Sequence, residues 1–179
     1  MTCIPPFAPN ISAGVNTFTS RQSVMGMIIP MLLPNQLKAG SFVKIEAEGA
    51  HSSTSTPNLT LGLAFMQPGS NGQGGTINVV IAEDTARAVA SAASWPFRLE
   101  WRGKCTATGT SGTMVGHGNI EFGTSLTAFT DAPIPLTAAL RTITVDTTVA
   151  QGIGVCATFS ASSGSNNIVV HSLSAQLYN

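Results

Sequence analysis

The chain has 179 residues, is 43% hydrophobic and only 9% charged, with eight Lys and Arg balancing eight Asp and Glu. Globular domains carry about 25% charged residues, and surface helices need them on the wet face, so the polar surface here falls to Ser, Thr, Asn, Gln and Gly, which suits β-structure. The neutral balance and the lack of any basic run exclude a nucleic-acid or membrane-surface binder, both of which need clustered positive charge.

In chain order, Met1-Thr2-Cys3-Ile4-Pro5-Pro6 has no basic segment leading into an apolar one, so no signal peptide is expected. Residues 1–29 read as an extended N-terminal arm and lead-in, with Pro5, Pro6 and Pro9 among small polar residues. The apolar run from Val24 to Leu33 is too short to span a bilayer and is cut by Pro30 and Pro34. Residues 30–179 read as one β-sandwich domain.

Val43, Ile45 and Ala47 alternate with Lys44, Glu46 and Glu48, which predicts a half-buried strand. His51 to Pro57 reads as a polar loop. Leu59, Leu61, Leu63 and Phe65 mark a second strand, and Pro68 to Gly75 a Gly-rich loop. Thr76 to Ala82 is β-branched and apolar, a third strand. Glu83 to Ala93 predicts a loop with at most one helical turn. Trp95, Phe97, Leu99 and Trp101 alternate with Pro96, Arg98, Glu100 and Arg102, the strongest strand signal in the chain, with its apolar side facing a core. Thr108 to Thr113 predicts a hairpin turn, and Met114 to Phe122 the returning strand, where Gly116 and Gly118 imply a bulge or a close backbone approach. Thr124 to Ala138, with Pro133 and Pro135, reads as a long connection between sheets. Arg141–Asp146, Ile153–Phe159 and Ile168–Tyr178 complete the set. The expected fold is all-β: a single antiparallel β-sandwich, jelly-roll-like, of about eight strands.

No residue cluster announces chemistry. Cys3, Cys105 and Cys156 form no CxxC pair and read as buried free thiols, with a Cys105–Cys156 bridge as the alternative. His51, His117 and His171 would need to converge with Asp84, Asp131 or Asp146 to hold a metal, and no ligand spacing supports this. Gly109-Thr110-Ser111-Gly112 reads as a turn rather than a nucleophile elbow. Glu46 and Glu48 share a face, which a solvated strand beside Lys44 explains without glycoside chemistry. Gly69 to Gly75 contains no Lys and is no phosphate loop. Trp95 and Trp101 could stack a sugar or base, but share their face with Phe97 and Leu99, which favours the core. The Asn10-Ile11-Ser12 and Asn58-Leu59-Thr60 sequons carry no weight without an export signal. No enzyme and no cofactor are expected.

Several stretches resemble small jelly-roll virion proteins of tailed bacteriophages, of the capsid decoration or minor capsid type. They are Leu37 to Gly49, Thr56 to Leu61, Trp95 to Trp101 with Thr108 to Thr113, Val145-Asp146-Thr147-Thr148, and Ser163 to Leu177. The likeness spans roughly residues 30–178 and consists of turn and strand signatures. It implies a structural virion protein, a cement on the outer shell, made in the host cytoplasm, commonly a homotrimer, with the major capsid protein or another virion protein as partner. The family has no catalytic residues to carry over. Within the arm, Pro5, Pro6, Phe7, Pro9 and Phe18 are the expected partner contacts, because extended arms gain order by lying on a partner. The alternative is a tail or fibre-tip module that binds a host surface glycan, which requires an exposed aromatic in a groove.

Overall fold

A computed structural model describes residues 2–3, 18–24, 29–54, 57–68, 74–89 and 91–179. The strands are β1 (Thr2–Cys3), β2 (Gln22–Ser23), β3 (Met31–Leu32), β4 (Phe42–Ser52), β5 (Asn58–Pro68), β6 (Gly74–Glu83), β7 (Arg87–Ala88), β8 (Trp95–Ala107), β9 (Gly112–Gly123), β10 (Phe129–Ile134), β11 (Thr142–Val145), β12 (Gln151–Phe159) and β13 (Asn167–Tyr178). They form two antiparallel sheets. One has seven strands in the order β1-β13-β4-β8-β9-β10, with β11 also on β9. The other has six in the order β2-β12-β5-β6, with β3 also on β12 and β7 on β5. The only helix among the described residues is a 3-10 turn at Ala138–Arg141.

Alternation builds the sandwich. β4 buries Val43, Ile45 and Ala47 and turns Phe42, Lys44, Glu46 and Glu48 outward, because successive side chains of a strand point to opposite faces. On β8, Phe97, Leu99 and Trp101 are buried as expected, and Trp95 is half-buried at the rim. Leu59, Leu61, Leu63 and Phe65 of β5, with Ile153, Val155 and Phe159 of β12, are buried in the opposite sheet. Pairing is nested: β4 lies on β13 and β5 on β12, so sequence-distant segments wrap together as in a jelly roll. Trp101 fixes the spacing at the middle of the large sheet. A Cβ at Gly103 would fall 1.8 Å from its Cη2, and one at Gly116 would fall 2.2 Å from its Cζ2. The close approach inferred at Gly116 is therefore the indole lying across two glycines, with regular register there rather than a bulge.

Several expectations change. Among the described residues the strands number thirteen rather than about eight, because four two-residue pairings (β1, β2, β3 and β7) carry no periodic signal. The stretch read as a long connection contains β10, an edge strand of mostly exposed residues whose Pro133 an edge position tolerates. The Glu83–Ala93 loop holds β7 and no helical turn among its described residues. The described part of the lead-in is integral to the sandwich. Phe18 is 4% exposed and meets Phe159 edge-to-face at 5.5 Å, and Val24 and Ile29 are buried. β2 pairs with β12, and Arg21 grips Glu83 through two hydrogen bonds of 2.7 and 2.6 Å. The reason lies in β12: Gly152 leaves a trough that Ile29 fills, since a Cβ there would sit 2.2 Å from Ile29 Cδ1.

Candidate functional site

The outer face of the seven-stranded sheet holds half of the chain's charged residues in a regular lattice. Four in-register rows cross β13, β4, β8 and β9: Tyr178, Phe42, Lys104 and Val115; Gln176, Lys44, Arg102 and His117; Ser174, Glu46, Glu100 and Asn119; Ser172, Glu48, Arg98 and Glu121. Each row follows from strand parity once the inward residues are fixed. Lys44 Nζ donates to Glu46 at 2.9 Å and lies 3.8 Å from Glu100, while Arg102 reaches Glu100 at 3.0 Å. The Lys44 hydrogen bond holds the Glu46 carboxyl below its ordinary range, against a smaller opposing effect of burial. Arg98 stands 3.6 Å from both Glu46 and Glu48. Exposed pairs of this kind contribute about 0.2–1 kcal/mol each, so the lattice adds little to stability.

The two ends of the lattice differ. At one end a groove of about 420 Å³ is lined by Phe42, Val43, Lys44, Arg102 and Tyr178. Phe42 is 49% exposed and Tyr178 37% exposed, and Lys104 Nζ sits 5.6 Å over the Phe42 ring. At the other end a groove of about 240 Å³ is bounded by Glu48, Arg98, Glu121, Phe129 and His171, with Gly49 and Phe97 also lining it. Phe129 is 55% exposed. The register of β13 on β4 shifts between Val170 and Ser172, so His171 is the unpaired residue of a bulge, which re-aims its side chain.

The residues singled out from sequence lie elsewhere. Pro5, Pro6, Phe7 and Pro9 fall outside the described residues, and the Phe18 ring faces the chain's own core. His51 is not in a polar loop: it shares parity with Val43 and Ala47 and is 1% exposed. Its ring stacks on Phe122 at 4.5 Å and meets Trp95 edge-on at 6.0 Å. Nε2 lies 3.3 Å from the Gly123 carbonyl, which can only accept, so Nε2 carries the proton. Nδ1 has no partner among the described residues, and burial pushes the imidazole down to about 4 against a smaller opposing effect of the Gly123 bond. His117 and His171 are exposed on the sheet. Asp84 is bound to Arg87, whose Nη1 donates to Thr130 at 2.9 Å and whose guanidinium lies 5.6 Å over Phe122. Asp146 accepts from Thr148 N at 2.8 Å and Oγ1 at 2.6 Å, a turn device. Among the described residues no three His, Cys, Asp or Glu groups come together to hold a metal. Ser111 stands in the β8–β9 turn, which Thr147 braces by accepting from Gly109 N at 2.8 Å. Cys105 and Cys156 are buried free thiols, the latter pushed up to about 12 chiefly by burial, while the Cys3 side chain lies outside the description.

No protein-family model and no curated protein matches this chain. Among solved structures it is similar to a Lotus tetragonolobus seed lectin isoform, at 8% identity and a TM-score of 0.40 over 98% of this chain and 86% of that one. It is also similar to lectin I-B4 from Griffonia simplicifolia in its metal-free form, at 9% identity and a TM-score of 0.42 over 99% of each chain.

Sequence reasoning missed Phe42, Tyr178 and Phe129, and weighed His171 only as a metal ligand. Parity could have found the first two, since Phe42 must face outward if Val43 faces in. Phe129 was hidden in the stretch read as a connection, and His171 needed the bulge.

Proposed function

We propose that this chain is a non-enzymatic structural protein of a tailed-bacteriophage particle, a decoration protein of the outer shell. The Phe42–Tyr178 end of the open face of the seven-stranded sheet is its contact surface and anchor. The observation that carries the contact role is the grouping of Phe42, Tyr178, Arg102 and Lys104 on an uncovered sheet face. Aromatic residues and Arg dominate binding energy at interfaces, and a rim of polar residues excludes water around them. The phage assignment and the homotrimer rest on the sequence resemblance. The non-enzymatic reading is supported by the structural engagement of Asp84, Asp146 and His51 described above. Of the expected arm contacts only Phe18 is described, and it is buried in the core, so the anchor is proposed on the sheet.

Co-sedimentation of the purified chain with undecorated particles of its phage tests this. The double variant Phe42→Ala/Tyr178→Ala is expected to lose attachment by tenfold or more, while Leu126→Ala, 70% exposed and far along the chain, retains it. Attachment of the double variant at unchanged affinity would refute the anchor. Light scattering should give about three times 18.4 kDa, and a concentration-independent monomer would refute the trimer.

A further inference from the structure

We propose that the groove bounded by Glu48, Arg98, Glu121, Phe129 and His171 is a saccharide subsite that takes one neutral pyranose ring. This goes beyond the shell-docking reading and uses the opposite end of the sheet. Phe129 offers an apolar ring at 55% exposure on β10, beside a concavity of about 240 Å³. Drug-sized ligands occupy about 300–1,000 Å³, so this groove suits a single ring rather than a peptide or nucleotide. A pyranose has an apolar C–H face that stacks on an aromatic ring. Around its edge run hydroxyls that each donate and accept.

The groups around Phe129 match that edge. Glu48 and Glu121 are acceptors, Arg98 is a forked donor, and His171 is able to serve as either. Their bonding capacity is open. Arg98 is 45% exposed and reaches Glu46 and Glu48 only at 3.6 Å, beyond hydrogen-bond length. The Glu121 and His171 side chains make no hydrogen bond or ion pair among the described residues. Charged groups also make the stronger hydrogen bonds to hydroxyls.

Charge sets the class of sugar. Two carboxylates flank one guanidinium, and Asp131 is the register partner of Glu121 on β10. A uronate, a sialic acid or a phosphate would add negative charge to a site that is already net negative. A cation is disfavoured by Arg98 standing between the carboxylates. The bulge at His171 is the local device that brings the fifth group to the rim.

The test is an amide NMR titration of the intact chain with the methyl glycosides of glucose, galactose, mannose and N-acetylglucosamine, and with methyl glucuronide. At least one neutral glycoside should shift the amides of Glu48, Arg98, Glu121, Phe129 and His171 saturably in the millimolar range, with the glucuronide at least tenfold weaker. Phe129→Ala should weaken binding tenfold or more at unchanged melting temperature, and Glu121→Gln should weaken it less. No saturable shift from any glycoside, saturable shifts at another surface, or unchanged binding in Phe129→Ala would overturn the proposal. Phe42→Ala/Tyr178→Ala should bind the glycoside normally, so failure of the shell anchor and failure of this subsite are read separately.

Discussion

The two sheets divide the work. In the six-stranded sheet, β12 is buried at every residue from Gln151 to Ala157, so both of its faces are covered. In the seven-stranded sheet, β4 alternates buried and outward residues along its whole length, leaving one face to solvent. The sequence marks the difference: β12 reads Gln-Gly-Ile-Gly-Val-Cys-Ala with no charge, whereas β4 interleaves apolar residues with Lys and Glu. Antiparallel sheets commonly keep one wet face. β12 is thus sealed on both sides and contributes stability, whereas β6, at the edge of the same sheet, exposes Thr76 and Asn78. The contact role is proposed for the open face of β4 and its neighbours, and mutations should separate that face from the sealed β12.

The largest effect is expected at the seam between the sheets. Trp101 is 1% exposed and lies over Gly103 and Gly116, which have no side chains to collapse into the gap. Trp101→Ala should destabilise by about 3–5 kcal/mol in denaturant unfolding. A loss below about 1 kcal/mol would mean the ring is not the spacer of the large sheet.

His51 ties the core to pH. Its folded value of about 4 lies below the ordinary 6.5, so the fold prefers the neutral ring and the unfolded chain takes the proton first. The stabilisation is complete above pH 6.5 and is lost as pH falls from 6.5 through 4, a total of about 3 kcal/mol. His51→Phe, which keeps the stack on Phe122, should flatten the stability profile in that window. An unchanged acid slope in this variant would place the dependence on the carboxylates, Glu46 first among them.

The seal on β12 is tested by a double-mutant cycle. Gly152→Ala should cost about 1–3 kcal/mol, because the new methyl meets Ile29 Cδ1. In an Ile29→Ala background the same change should cost less, and the difference is the coupling energy. Additive effects would mean that Ile29 does not close this face.

Much of the sandwich was legible because alternation with a period of two needs only a buried face, as at Val43-Ile45-Ala47 and Phe97-Leu99-Trp101. The same parity places His51 in the core, but Ser52-Ser53-Thr54 beside it reads as loop and masks the strand end. β10 was illegible because an exposed edge strand has no apolar face to repeat: Thr130, Asp131 and Pro133 are all exposed. The grooves were illegible for another reason. Phe129, Glu48 and His171 come from strands far apart in sequence, and only the pairing of β13 with β4, β4 with β8, and β9 with β8 and β10 brings them together.

The smallest effect should come one residue from the largest. Glu100 precedes Trp101 on β8 and points to the opposite face, where it holds Arg102 at 3.0 Å and Lys44 at 3.8 Å with its side chain 26% exposed. Glu100→Gln keeps the shape and removes the charge, and water solvates the two freed cations. The loss of stability should stay under about 1 kcal/mol and shrink further with added salt, since exposed pairs are screened. The same variant shifts the lattice toward positive charge, so attachment to particles should change its salt dependence before its stability changes. A loss of several kcal/mol would mean that the lattice supports the fold rather than an encounter surface. Two adjacent residues on one strand, with melting temperatures far apart for Trp101→Ala and close to the parent for Glu100→Gln, would show within β8 alone that the sheet is structural on one face and free for contact on the other.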